Sequence, residues 1–312
     1  MTRNLVIASV LVAAGCTGSG SPANPNLIDP GPVPVNGMQI ILPVIKDIQP
    51  GTDNELCTWT DTIVDKDLWV KSVQGIQSAA GHHIVLYKTK TYQPGGTTRK
   101  CTDEDTATLR FVAGAGGEGV KEVNEAPGNL AFTIEKGNQI MINHHYINAS
   151  PLPHDVQSAV NIVYTDPNDT SIIPSGALAV VDTNLHLAPG TPSIDINCTM
   201  QQSVKAWYWI PHMHAYGSEI TIDHITPDGV SERLFDTPWT PEYTFHPPTM
   251  VTDPTTPKLL NKGDQVKVHC AWNNTTQSEL TFGIEMCVFF AQTVDDQHVG
   301  NIACDAGQWT DF

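Results

Sequence analysis

From Met38 to the C-terminus, short apolar stretches alternate with turn residues, and no helical period is sustained. The pattern predicts strands over 38–44, 68–73, 83–87, 130–134, 139–145 and 159–164 in the first half. It predicts a second series over 177–182, 204–210, 219–225, 265–272 and 280–291. Ile134-Glu-Lys-Gly-Asn-Gln139 reads as a tight turn between two of these strands. The polar, proline-containing segment 165–175 separates the two series and is the natural domain boundary. Regularly spaced short strands predict an all-β protein of two tandem antiparallel β-sandwich domains, 38–170 and 171–312.

The N-terminus has a different character. Arg3 precedes a short apolar run from Leu5 to Ala14, too short to cross a bilayer, so residues 1–16 read as an export signal. Ala13-Ala14-Gly15-Cys16 resembles a bacterial lipobox, which makes Cys16 the candidate lipidated residue. Thr17 follows it, pointing to an outer-membrane lipoprotein at the periplasmic or cell surface, held to the membrane only by its lipid. Residues 17–37, rich in Gly, Ser, Pro and Asn, read as a flexible tether.

Formal net charge is −17, and only 16% of residues are charged, which excludes a nucleic-acid partner. Seven cysteines leave six once Cys16 is set aside, enough for three disulfides in an oxidising compartment, and fifteen pairings fit. No CxxC pair is present, so a zinc knuckle has no support. Gly114-Ala-Gly-Gly-Glu-Gly119 lacks the Lys-Ser/Thr of a phosphate loop and reads as a connection.

Four groups carry candidate chemistry: His82-His83, His144-His145-Tyr146, His212-Met213-His214 and Glu285-Met286-Cys287, the last placed within a strand. His212 and His214 are two apart, so on a strand both imidazoles leave from one face. Met286 offers a thioether, a soft donor suited to Cu(I). His82 and His83 with one histidine of the second pair would make an all-imidazole site.

In this order the four groups resemble those of the copper type II, ascorbate-dependent monooxygenases, the family of dopamine β-monooxygenase and the peptide-amidating hydroxylase. The likeness runs from about Met38 to the C-terminus and includes 175–198 and 263–270. It implies a copper on each domain, facing across a cleft. His82, His83 and His145 would hold the electron-storing ion, His145 being chosen over His144 because it directly precedes Tyr146. His212, His214 and Met286 would hold the ion at which O₂ and substrate meet, and form the catalytic set. The resemblance also implies the disulfides Cys57–Cys101, Cys198–Cys304 and Cys270–Cys287.

Where peptide-amidating relatives carry an Arg for the substrate carboxylate, this chain has Ile210, and Val288 and Phe290 replace their Asn and Tyr. A bidentate carboxylate partner is lost, which implies a small apolar or aromatic substrate. The expected activity is hydroxylation of a C–H bond with O₂, two copper ions and a one-electron donor such as ascorbate. The alternative is a non-catalytic periplasmic copper-binding lipoprotein using the same six ligands; a purely structural β-sandwich protein would bind no copper.

Overall fold

The computed structural model describes residues 27–102, 105, 108–115, 123–166, 168–244 and 247–311. The export signal, Cys16 and part of the glycine-rich connection lie outside the described residues. The fold is all-β, built from several sheets with no closed barrel; the described residues include one short 3₁₀ turn, Pro241–Thr244.

The longest sheet joins the two halves of the sequence. Its path runs through Gly37–Ile41, Ser158–Tyr164, Leu68–Gln77, Leu130–Ile134, Ile173–Val181, Val288–Val294 and Val204–His212. The crossing between halves is a parallel pairing of Ile173–Val181 with Leu130–Ile134. Pairing therefore continues through the start of the second strand series.

A five-stranded sheet (Thr98–Lys100, Asp53–Ile63, Gln139–Ile147, Gly81–Thr89, Arg110–Ala115) accompanies the first half. Ile84, Leu86, Ile140 and Ile142 from this sheet share a buried cluster with Val70, Phe132 and Ile162 of the long one. A four-stranded sheet (Ser193–Thr199, Gln265–Trp272, Gly217–Ile225, Ser231–Pro238) accompanies the second half. There Ile220, Ile222, Val266 and Val268 cluster with Leu178, Trp209 and Phe289. Gln265–Trp272 alternates half-buried and buried residues along its whole length, as a strand with one face on a core should. Val204–His212 departs from this alternation. A bulge between Ala206 and Tyr208 turns Trp207 into the first cluster while Trp209 enters the second.

All three expected disulfides are formed, Cys57–Cys101, Cys198–Cys304 and Cys270–Cys287. They place the chain in an oxidising, extracellular type of compartment. No helix among the described residues is long and apolar enough to cross a membrane. The stretch read as tether is anchored from residue 27 onward. The Leu27 amide donates to Gln157 Oε1, and Ile28 is buried with Ile76 and Ala159.

The apolar run predicted as one strand over 280–291 is divided into Leu280–Thr281 and Val288–Val294, with a turn between them. Gly283 sits in that turn at φ 93°, a left-handed conformation that interrupts the strand. Glu285, Met286 and Cys287 therefore belong to the turn and not to a strand.

Candidate metal centre

Consecutive residues of a regular strand point to opposite faces, so His82 and His83 should not share a site. The structure brings them together through a bulge. His145 is paired with His83 and Tyr146 with Gly81, leaving His82 as an extra residue in its strand. Ala80, just before the bulge, takes a left-handed φ of 64°. The His82, His83 and His145 rings then meet edge to face, with centroids 5.3, 5.2 and 4.9 Å apart. One ring nitrogen of each lies within 4.8 Å of the others, a grouping that could hold a metal ion.

His144 has a separate place. Gln139–Ile147 is the central strand of its sheet and is buried on both faces, so the two neighbouring histidines are sent to opposite sides. His144 lies 2.9 Å from Thr58 Oγ1 and 3.3 Å from Tyr146 Oη. Burial lowers its pKa to about 4, so it is a neutral, hydrogen-bonded core residue at neutral pH. His145 Nε2 contacts Asp53 Oδ1 at 2.5 Å. A carboxylate can only accept, so Nε2 carries the proton in this contact. Asp53 was not singled out from the sequence, since it lies 92 residues from His145 and only strand pairing brings the two together.

The second group is assembled differently. The Val204–His212 strand ends at His212, so His214 lies beyond it. The intervening Met213 is fully buried, and the His212 and His214 rings sit 5.0 Å apart at 85°. Burial, and secondarily the charge of His214, lowers the His212 pKa to about 3, which leaves its imidazole neutral. His214 Nδ1 is 3.0 Å from the carbonyl oxygen of Ile284. It must donate there, which leaves Nε2 as the available donor atom.

Glu285 connects this histidine turn to the methionine. Its carboxylate is completely buried and accepts from the amides of His214 (3.1 Å) and Tyr216 (2.6 Å) and from Trp272 Nε1 (2.9 Å). Met286 follows it, half-buried, and Cys287 next in line is bridged to Cys270. The turn carrying the thioether is thus held on one side to the His214 and Tyr216 amides through Glu285 and on the other to the Gln265–Trp272 strand through the Cys270–Cys287 bridge.

The three substrate-pocket candidates flank His212. Val288 is the cross-strand partner of His212, and Phe290 is the partner of Ile210 two residues along. All four residues therefore share one face of the paired strands. Phe290 stacks at 6.4 Å and 22° on Phe111, which in turn meets Tyr87 edge to face at 6.2 Å. Tyr87 and His83 are four residues apart on one strand and share its face. The Tyr87, Phe111 and Phe290 rings thus join the strand that carries His83 to the strand paired with His212. Imidazole is a good ligand for several transition metals, and His82, His83 and His145 are the group that could hold a metal ion.

No known family model matches the sequence, and no curated protein is significantly similar to it. Among solved structures, PNGase F, a glycosylasparaginase from Flavobacterium meningosepticum, aligns over 83% of this chain and 96% of its own at 11% identity and a TM-score of 0.33. The PBSX exported protein XepA aligns over 83% of this chain and 88% of its own at 8% identity and a TM-score of 0.21. These likenesses are too low to carry a functional argument.

Proposed function

We propose that the protein is a copper-dependent monooxygenase that hydroxylates a C–H bond of a small apolar or aromatic molecule, using O₂ and a one-electron reductant such as ascorbate. Each half of the chain is a two-layered β unit carrying one copper site. The observation that carries this reading is the bulge that turns His82 and His83 onto the same side as His145. Hydrogen bonding accounts for His144, whereas nothing in strand geometry alone calls for three imidazoles to meet.

Copper, when bound, supplies one-electron redox chemistry and a centre for O₂. His82, His83 and His145 would hold one ion, with Asp53 fixing the tautomer and orientation of His145. His212, His214 and Met286 would hold the other, with Glu285 fixing the turn between them. Ile210, Val288 and Phe290 offer an apolar wall beside His212. A charged substrate group placed there would lose its hydration without gaining a partner.

The test is turnover of copper-loaded protein with ascorbate and a panel of small aromatic and aliphatic compounds under ¹⁸O₂. One labelled oxygen in an alcohol product, lost in Met286→Ile, is the expected result. Two bound coppers with no labelled product from any compound would favour a non-catalytic copper-binding lipoprotein instead.

A further inference from the structure

Gln292 is only 4% exposed, yet its Oε1 has no hydrogen-bond partner among the described residues. A buried acceptor left unpaired carries the full desolvation cost of its amide, so its position needs a reason. Val288, Phe290 and Gln292 alternate along one strand and share a face; their cross-strand partners are His212, Ile210 and Tyr208. Gln292 therefore closes the apolar wall at the end remote from His212, four residues or about 13 Å along the strand.

A second unpaired group lies at the same end. The bulge between Ala206 and Tyr208 sits opposite Thr293 and Gln292. Its extra residue, Trp207, is buried in the first cluster, against which Tyr208 also packs. Trp207 is 5% exposed, and its Nε1 has no partner among the described residues. An indole N–H only donates and an amide oxygen only accepts, so the two atoms are complementary in what they lack. A hydroxyl group satisfies both at once.

This end of the face is also accessible. The row across the sheet from Gln292 passes through half-buried Tyr208 to Val251, which is 63% exposed. On the other side, Ala177 pairs with Gln292 and Ala179 with Phe290, and their methyl groups keep that flank of the face low.

We infer that Gln292 and Trp207 determine specificity, and that the substrate is an elongated apolar molecule with a hydroxyl group at the end remote from the reacting C–H bond. The hydroxyl donates to Gln292 Oε1 and accepts from Trp207 Nε1, while Ile210 and Phe290 pack the apolar body between there and His212. A site with buried polar groups rejects an analogue that leaves them unpaired far more strongly than an apolar pocket rejects a change of size. The assignment of the reacting end rests on the monooxygenase reading; the hydroxyl end rests on the two unpaired atoms.

The test is equilibrium dialysis of the metal-free protein with para-phenylphenol and with biphenyl, which differ only in the hydroxyl. Wild type should bind the phenol at least about tenfold more tightly, and Gln292→Leu should remove most of that preference. Because this variant replaces an unpaired buried amide with an apolar side chain of similar size, its unfolding midpoint should not fall. The Trp207 indole N–H resonance, identified by its loss in Trp207→Phe, should shift with the phenol and stay in place with biphenyl. Equal affinity of wild type for the two probes, or an undiminished preference in Gln292→Leu, would overturn the inference. No copper enters these measurements, so hydroxyl selectivity without any labelled product in the turnover assay would support this site and count against the monooxygenase reading alone.

Discussion

His144 and His145 are neighbours with opposite surroundings. His144 is held by Thr58 and Tyr146 in the core, whereas His145 joins His82 and His83 on the other face. His144→Ala should therefore leave copper stoichiometry unchanged and destabilise the fold by about 1–3 kcal/mol. His145→Ala should do the reverse, losing one copper with little change in the unfolding midpoint of the metal-free protein; copper analysis and denaturant titration read the two effects. A pH effect belongs to Asp105. Its hydrogen bonds with Arg99, helped by Thr102, hold its pKa down at about 2 against the ordinary 3.8. Because the folded value is depressed, the stabilisation is complete above about pH 4 and disappears as pH falls through about 2. Asp105→Asn should cost up to about 2 kcal/mol at neutral pH and flatten the stability profile between those values, measured by urea unfolding at stepped pH. The sequence could distinguish His145 from His144 only through the family resemblance. Asp53, Phe111 and Tyr87 left no local signal, because strand pairing and ring packing place them.

Among the elements, the regular strands were the most legible. Leu130–Ile134 and Gln265–Trp272 occupy the predicted bounds, the first as a short apolar run buried almost throughout and the second because alternating burial is written directly into its residues. The two irregular places were not legible, and both carry candidate chemistry. The His82 bulge depends on the register of a partner strand, and the 282–287 turn is hidden in an apolar run. Replacing Glu285 with Gln would put an amide NH₂ where only acceptors fit. Copper at the His212/His214/Met286 site should then weaken by about ten- to a hundredfold, while the His82/His83/His145 site keeps its affinity; competition with a chelator resolves the two. Cys270→Ser/Cys287→Ser should weaken the same site and lower stability by about 2–4 kcal/mol. Peptide mapping without reductant checks the pairing first, and a Cys287 joined to Cys198 or Cys304 would contradict it.

At the scale of the molecule, the long sheet and the Phe111–Phe290 stack connect the two halves of the chain. The all-β class was legible from strand patterning, but the continuous sheet was not. Its parallel crossing pairs Ile173 with Leu130, a long-range contact with no periodic signature. The central claim is that this framework holds two coppers with unlike ligands. Its most direct test is X-ray absorption on the reduced protein after copper titration, for wild type, His82→Ala and Met286→Ile. Wild type should bind two equivalents and show a copper–sulfur contribution. His82→Ala should lose one equivalent and keep the sulfur signal, and Met286→Ile should lose the sulfur signal. A single equivalent in wild type, or a sulfur contribution that persists in Met286→Ile, would contradict the account.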